Sequence, residues 1–331
     1  MDDSVTLTII IPVKPGGAVR ALGRLRDAVY PAAGLEVLVA EGRRPSRQRN
    51  RAASLARGDI LYFLDDDSLA DPGSLQRAVR HFADPSVAAV GGPSLTPDSD
   101  SLLQRAIGIA LASPFGGGGA RNRYRKTGTS RPTSERELIL CNLAFRRELF
   151  LELGGLDERL YPNEENELMD RVMAQGGRLI HDPDLAVQRS QRPTFRAFVR
   201  QFLGYGRGRG EQTRISGFRG WVDFAPSLFL LYLSLLPLAP KAVCFLPLLC
   251  YGAAVILSAV AASAAAGLPS AFPLLLVLFP ALHLSYGAGL LKGLVVPRYA
   301  RNRGGGEQVT IRTVKAMGEP WPHGETGEEP L

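Results

Sequence analysis

Three consecutive aspartates follow a run of apolar residues in the stretch ILYFLDDDSL, residues 60–69. Adjacent carboxylates repel one another, so Asp65, Asp66 and Asp67 need water, a basic neighbour or a metal ion to offset their charge. Two carboxylates separated by one residue at a strand end can hold a divalent cation, with substrate phosphates completing its coordination. Aspartates are also common in turns and at helix N-caps, which is the structural alternative for this cluster.

A second acidic cluster lies in NEENEL, residues 163–168, at the start of a predicted helix. Its glutamates, Glu164, Glu165 and Glu167, would also interact favourably with the helix dipole, which is the alternative to a catalytic role. A carboxylate held near other acids keeps the proton affinity that a general base needs. One site for a metal and one for a base, about a hundred residues apart, suit transfer of a group from a nucleotide donor to an alcohol.

Competing catalytic motifs are missing from the sequence. It has no GxSxG and no GxxxxGK[ST] pattern, and GRGRGE at 206–211 does not follow a strand as a dinucleotide-binding motif would. The four histidines show no metal-ligand spacing. Only His181, which lies between a predicted strand and the aspartates of DPD at 182–184, is retained as a candidate.

The elements that must position these residues are short and alternate along the first 95 residues. The predicted strands are 5–13, 35–40, 60–64 and 87–92, and the predicted helices are 19–29, 47–58 and 71–83. Such units predict an α/β fold with a doubly wound, mostly parallel sheet. Ligands of these sheets lie beyond the carboxyl ends of the strands, where Asp65 to Asp67 are found. Residues 113–136, rich in glycine and basic residues, predict a mobile loop, either a linker or a lid.

The last third of the chain has the composition of a membrane protein. Residues 224–296 contain two lysines and no other charged side chain. Segments 242–267 and 272–296 are long enough to span a bilayer, whereas 224–240 is either a short span or an interfacial element. Two spans would keep the basic tail on the side of the N-terminal domain. Three would place it on the opposite side, against the positive-inside rule.

A basic cluster precedes these apolar segments. Eight arginines lie from Arg189 to Arg219 against one acid, Glu211, in a chain of net charge +7. Nucleic acid would also bind such a cluster, but its position favours the anionic lipids of a membrane surface. The phenylalanine stripe of 193–206 fits an interfacial helix and a packed core face equally well. Without a signal-peptide pattern, the N-terminal domain is expected in the cytoplasm.

Together these stretches resemble the family 2 inverting glycosyltransferases with a GT-A fold, and most of all the membrane-attached, succinoglycan-type enzymes of bacterial exopolysaccharide synthesis. The stretches that carry the resemblance are IIIPV (9–13), RNRAASLARGDILYFLDDDS (49–68), the segment 143–183 that contains NEENEL, and RQFLGYGRGRG (200–210).

The resemblance implies a role for each matching residue. Asp65 and Asp67 would bind Mg²⁺ or Mn²⁺, and Glu165 would be the catalytic base. Glu41 and Glu165 stand where the family usually has aspartate. The residues assigned to the nucleotide sugar are Pro12, Val13, Glu41, Arg49, Asn50, Asp65, Asp66, Gln201 and Arg207. The residues assigned to the acceptor or a lid are Asn142, Glu164, His181 and Tyr205.

The sequence thus predicts a cytoplasmic GT-A domain (1–192), a basic amphipathic helix or linker (193–222), two or three membrane spans (223–297) and a polar, disordered tail (298–331). The expected function is transfer of a sugar from a UDP- or GDP-linked donor to a lipid-linked or glycan acceptor at the cell membrane. The alternative is a catalytically inactive, membrane-bound nucleotide-sugar-binding scaffold. Anionic lipids are expected partners, and nucleic acid is not.

Overall fold

A computed structural model of the chain describes residues 5–218, 220–238, 241–298 and 308–322. The chain forms two compact units. The first contains the described residues of Met1–Leu95, Asn122–Arg189 and Gly304–Leu331, and the second those of Thr96–Arg121 and Ser190–Arg303. Both acidic clusters belong to the first unit.

The first unit is built on two sheets. The larger has eight strands in the order β11-β2-β1-β3-β8-β5-β9-β7, and the smaller has the order β4-β10-β6. The strands are Leu7–Val13 (β1), Leu35–Glu41 (β2), Ile60–Leu64 (β3), Leu69–Ala70 (β4), Val87–Gly91 (β5), Ser94–Leu95 (β6), Arg131–Thr133 (β7), Asn142–Arg146 (β8), Arg178–His181 (β9), Val187–Gln188 (β10) and Thr310–Lys315 (β11). Its α-helices are Ala21–Arg26 (α1), Pro45–Leu55 (α2), Ser74–Arg80 (α3), Arg147–Glu152 (α5) and Glu164–Ala174 (α6).

The large sheet contains the predicted block of parallel strands. Strands β2 and β3 flank β1 in parallel, and β5 pairs with β9 in parallel. The three central strands are buried almost throughout, because apolar clusters cover both faces of the sheet. The sheet is nevertheless mixed, since β8 lies between β3 and β5 and is antiparallel to both. The GT-A-like α/β architecture is therefore confirmed.

Two predicted loop regions are ordered instead. Within the predicted mobile segment 113–136, β7 pairs with β9, so that prediction is wrong for this part. The predicted disordered tail is wrong for residues 308–322, because β11 pairs antiparallel with β2 and covers what would be an open sheet edge. The other tail residues, 299–307 and 323–331, lie outside the described part of the chain.

The C-terminal strand is anchored by a buried lysine. Lys315 is 2% exposed, and its Nζ donates hydrogen bonds to the carbonyl oxygens of Ala32 (2.8 Å), Leu35 (2.9 Å) and Ala316 (3.2 Å). Burial lowers the pKa of this ammonium group. Val314 is buried beside it, and Trp321 packs against the same core. Sequence analysis missed this strand because the C-terminal segment 298–331 is polar in composition.

The second unit is helical. Its α-helices are Leu102–Ala112 (α4), Phe195–Ser216 (α7), Ala225–Leu235 (α8), Leu246–Ala265 (α9) and Phe272–Val295 (α10). Helix α7 lies within the predicted amphipathic segment 193–222, extends beyond the phenylalanine stripe of 193–206, and packs closely on α10 through glycines. A Cβ atom at Gly206 would lie 2.0 Å from the Tyr286 oxygen, and one at Gly293 would lie 2.2 Å from the Arg207 oxygen.

Three stretches of the second unit are long and apolar enough to cross a membrane. They are Trp221–Leu238, Ala242–Ala265 and Pro269–Val295. The first of these, which the sequence left open, is 18 residues long only when the 3₁₀ turns flanking α8 are included.

We predict that Lys315→Met destabilises the first unit. The substitution keeps most of the apolar stem but removes three hydrogen bonds from a charged donor, at a cost of about 2–3 kcal/mol. Thermal unfolding of the full chain in detergent should show a transition several degrees lower. Thr313→Val, at an exposed position of the same strand, should leave the transition within about one degree. Equal transitions for the two variants would contradict the anchoring role of Lys315.

Candidate active site

The acidic turn after β3 is held in shape by Ser68. The Asp65 amide donates to Ser68 Oγ (3.3 Å), and the Ser68 amide donates to the Asp65 carbonyl (3.1 Å). Ser68 Oγ donates in turn to the carbonyl oxygen of Cys141 (2.9 Å), one residue before β8. The aspartates therefore lie at the carboxyl end of β3 and beside the start of β8.

Arg189 offsets the charge of this turn. Its Nη2 lies 3.0 Å from Asp65 Oδ2, and its Nε lies 2.6 Å from Asp67 Oδ1. The residue follows β10 directly, and its amide donates to the Leu95 carbonyl (2.9 Å) at the end of β6. Sequence analysis placed Arg189 in the membrane-facing cluster, and for this residue that prediction is wrong. Its partners are more than a hundred residues away in sequence.

The turn is chemically suited to a divalent cation. Asp65 and Asp67 converge on one guanidinium group, so their carboxylates can share a single cation. The described residues contain no group of three or more histidine, cysteine, aspartate or glutamate side chains arranged for a metal. A cation here would therefore need oxygens from a substrate to complete its coordination, which is usual for Mg²⁺. Asp66 differs from its neighbours, because burial and then the charges of Asp67 and Asp65 raise its pKa to about 6.

Arg49 joins the two acidic clusters. This buried side chain of α2 donates from Nη2 to Asp65 Oδ1 at 2.6 Å, and its Nη1 lies 3.4 Å from Glu164 Oε1. Arg49 was assigned to the nucleotide sugar, and its guanidinium group connects the aspartate turn with the first turn of α6. The two clusters singled out in the sequence are thus brought together.

The two glutamates at the start of α6 have different environments. Glu164 is 1% exposed, and its Oε2 has no hydrogen-bond partner among the described residues. Burial, and then the neighbouring Glu165, raise the pKa of Glu164 to about 8, against the opposing effect of Arg49. The acceptor or lid role assigned to Glu164 stays a prediction. Glu165 is 8% exposed, and its Oε1 lies 3.7 Å from Arg123 Nη1.

Hydrogen bonds hold the guanidinium group of Arg123 beside Glu165. Its guanidinium group donates to the carbonyl oxygens of Arg136 (2.8 Å) and Glu135 (2.5 Å) and to Asn166 Oδ1 (2.6 Å). The basic loop predicted as a lid thus contributes a rigid cation beside the candidate base. No spacing in the sequence singled out Arg123 from the other basic residues of that loop.

Several predicted site residues have structural roles. Asn142 is fully buried, accepts from the Tyr62 hydroxyl (2.6 Å) and donates to the Leu185 carbonyl (2.6 Å). His181 is also fully buried, with its Nε2 3.1 Å from the Asn122 carbonyl, and burial lowers its pKa. Both side chains are thus held inside the fold, and their acceptor or lid roles stay predictions.

Asn50 also serves the fold. Its side-chain amide donates to the Leu156 carbonyl (2.8 Å) and accepts from the Leu156 amide (2.9 Å). Gly155 must be glycine beside it, because φ is +71° and a Cβ would lie 2.6 Å from Asn50 Oδ1. Both hydrogen bonds occupy the side-chain amide of Asn50, the group that was assigned to the nucleotide sugar.

Three other residues assigned to the nucleotide sugar, Pro12, Val13 and Glu41, lie at the ends of β1 and β2. Pro12 and Val13 pair with Ala40 and Glu41, and Glu41 is half-buried. Gln48, which sequence analysis missed, ties these ends together. Its Nε2 donates to the carbonyl oxygens of Val13 (2.8 Å) and Ala40 (2.5 Å).

The remaining residues that were predicted to bind the nucleotide sugar lie on α7 in the second unit. Gln201 Nε2 donates to the Tyr205 hydroxyl at 2.8 Å. Arg207 donates to Glu211 Oε1 (3.1 Å) and to the Val296 carbonyl (2.7 Å). Their roles toward a nucleotide sugar stay predictions.

We predict that Glu164→Gln changes how stability depends on pH. Because the pKa of Glu164 is near 4.5 when unfolded and about 8 when folded, the native state holds a proton that the unfolded state loses between these values. Its contribution therefore falls as pH rises from about 4.5 to 8. Thermal unfolding with EDTA should show the variant gaining stability relative to wild type across this range. Parallel curves would contradict the raised pKa.

Comparisons with known proteins bear on the fold and the family of the chain. Among solved structures, the fold is similar to a mannosyltransferase from Pyrobaculum calidifontis, PcManGT, in complex with GDP-Man and Mn²⁺ (TM-score 0.59, 17% identity, 89% of each chain covered). Among curated proteins, the chain is 26% identical to pre-mycofactocin glycosyltransferase of Mycobacterium tuberculosis over 173 residues, 49% of this chain and 33% of that one. It is 28% identical to glucosyl-dolichyl phosphate glucuronosyltransferase of Haloferax volcanii over 123 residues, 35% of this chain and 36% of that one.

The chain spans only about a third of the length of these curated relatives. A family model adds broader coverage. The model described as glycosyl transferase family group 2 matches residues 60–284, which is more than half of the chain and includes both acidic clusters. The protein therefore belongs to glycosyl transferase family group 2.

Proposed function

We propose that the protein is a membrane-attached, metal-dependent inverting glycosyltransferase. It transfers a sugar from a nucleotide-sugar donor to a lipid-linked or other membrane-proximal acceptor hydroxyl. The observation that carries the proposal is the junction at Arg49, which places a carboxylate pair suited to a cation beside a glutamate pair suited to proton transfer. Family membership supports the reaction class.

Asp65 and Asp67 would hold the divalent cation, Mg²⁺ or Mn²⁺. When bound, such a cation supplies positive charge that stabilises the departing diphosphate. The protein contributes a turn whose two carboxylates already point at one position, as their shared contacts with Arg189 indicate. Arg49 contributes a further positive charge at the same edge.

Glu165 is assigned to proton transfer. Its carboxylate would accept the proton of the acceptor hydroxyl, whose oxygen then forms a bond to the anomeric carbon as the bond to the diphosphate oxygen breaks. Arg123 keeps Glu165 oriented, with its Nη1 3.7 Å from Glu165 Oε1. Glu164, with its raised pKa, stays protonated near neutral pH, so it does not compete for the positive charge of Arg49.

We assign the acceptor to the membrane because the second unit contains long apolar helices and exposed arginines. Its three apolar helices can cross a bilayer by length and composition. The arginines near the start of α7, Arg192, Arg196 and Arg200, are exposed and suited to anionic headgroups. We assign the first unit to the cytoplasmic side, where nucleotide sugars are made.

A donor screen tests the proposed activity. Full-length protein with Mn²⁺ is incubated with a panel of UDP- and GDP-linked sugars, with and without a membrane lipid extract, and free nucleotide is measured. One donor should release nucleotide faster when lipid is present. Metal-dependent nucleotide binding without any sugar release would instead identify an inactive scaffold.

We predict that Glu165→Gln lowers transfer by about a hundredfold or more, the usual contribution of a general base. Glu167→Gln is the matched control, because Glu167 lies in the same helical turn and is paired with Arg171 (2.7 Å). It should retain at least half of the wild-type rate. Both variants should bind the nucleotide as wild type does, measured by calorimetry. Wild-type turnover in Glu165→Gln would show that another residue is the base.

A further inference from the structure

Arg189 occupies the position that a cation between Asp65 and Asp67 would take. Its guanidinium group bonds one oxygen of each carboxylate, at 3.0 and 2.6 Å. The three side chains are 20–25% exposed, so solvent ions can reach the cluster. A divalent cation shared by the same two carboxylates must displace this guanidinium group, because like charges at such short range repel strongly.

We propose that Arg189 is an internal competitor of the metal and makes metal binding depend on the nucleotide. This inference rests on the proposed function, since it needs a divalent cation at Asp65 and Asp67. Without nucleotide, a cation entering the turn leaves Arg189 without its carboxylate partners. With nucleotide, the diphosphate offers the released guanidinium group a new anionic partner.

The consequence is a positive coupling between the two ligands. Each ligand favours the arrangement in which Arg189 has left the aspartates, so each raises the affinity for the other by the same factor. Asp65 keeps a positive partner throughout, because Arg49 also bonds it at 2.6 Å. The role therefore falls to Arg189, whose guanidinium group bonds both carboxylates of the pair.

The test is a Mn²⁺ titration, by electron paramagnetic resonance, of wild type and Arg189→Gln with and without UDP or GDP. The variant should bind Mn²⁺ about tenfold more tightly than wild type without nucleotide. Nucleotide should then raise its Mn²⁺ affinity about tenfold less than it does for wild type. Arg80→Gln, an exposed arginine of α3, removes the same charge elsewhere and should behave as wild type.

Stability gives a second readout if the variant folds poorly. Mn²⁺ should raise the unfolding temperature of Arg189→Gln more than that of wild type, and Arg189→Lys should fall between them. Equal Mn²⁺ affinity and equal nucleotide effects in wild type and Arg189→Gln would overturn the role of Arg189. If wild type binds no Mn²⁺ even with nucleotide, the proposed metal site itself is wrong.

A separate observation concerns the membrane topology. Strand β11 comes after all three candidate spans and is hydrogen-bonded to β2, which pairs with β1 near the N-terminus. One sheet cannot be divided by a bilayer, because its interstrand hydrogen bonds hold neighbouring strands about 5 Å apart. Residues 7–41 and 310–315 must therefore lie on the same side.

We infer that an even number of the three apolar stretches cross the membrane. Three crossings would put β11 on the side opposite to β2 and break the edge pairing that Lys315 secures. At least one of Trp221–Leu238, Ala242–Ala265 and Pro269–Val295 is then an interfacial or protein-packed helix. The length and hydropathy of the three stretches do not show which of them stays out of the membrane.

Cysteine labelling tests the inference in the full chain. In a background with Cys244 and Cys250 changed to serine, Arg51→Cys on α2 and Thr313→Cys on β11 are each exposed positions. A membrane-impermeant maleimide should label both in the same preparation, either inverted vesicles or intact spheroplasts. Labelling of the two positions from opposite sides would overturn the inference.

Discussion

Charge compensation around the aspartate turn is the interaction on which the rest of the site depends. Three adjacent carboxylates at a strand end are unfavourable unless positive charge lies close. Arg49 approaches from α2 and Arg189 from the end of β10, so the turn is held between two elements far apart in the chain. Because Arg49 also lies 3.4 Å from Glu164, the same residue connects the aspartate turn with the first turn of α6.

The glutamates show how burial separates the functions of neighbouring residues. Glu164 and Glu165 are adjacent, and the deep burial of Glu164 disfavours its ionised form and raises its pKa. A protonated Glu164 leaves the charge of Arg49 to Asp65 and leaves Glu165 as the carboxylate beside Arg123. The first turn of α6 thus combines a glutamate that is 1% exposed with a candidate base that is 8% exposed.

The small residues of the second unit have a comparable effect on its helices. Glycines at both faces allow α7 and α10 to approach until a single added methyl group would contact backbone oxygens. Arg207 and Arg214 of α7 bond to the carbonyl oxygens of Val296 and Leu294 near the end of α10. An arginine-rich helix is therefore packed along one of the three apolar stretches, which composition alone would assign simply to lipid.

The sequence by itself determined the central parallel strands, the two acidic clusters and the apolar C-terminal third, because each is encoded by local patterns of hydrophobicity and charge. It could not place β8 between β3 and β5, since that pairing joins segments about eighty residues apart. Nor could it identify Arg189 and Arg123 as partners of the acidic residues, or β11 as part of the first unit. Their partners are distant in sequence, and their residue types fit a basic membrane cluster, a loop and a polar tail equally well. Only the tertiary structure shows which arginines neutralise the aspartates, because those contacts join residues far apart in the sequence. For the same reason, only the tertiary structure shows that β11 pairs with β2 and therefore lies on the same side of a membrane.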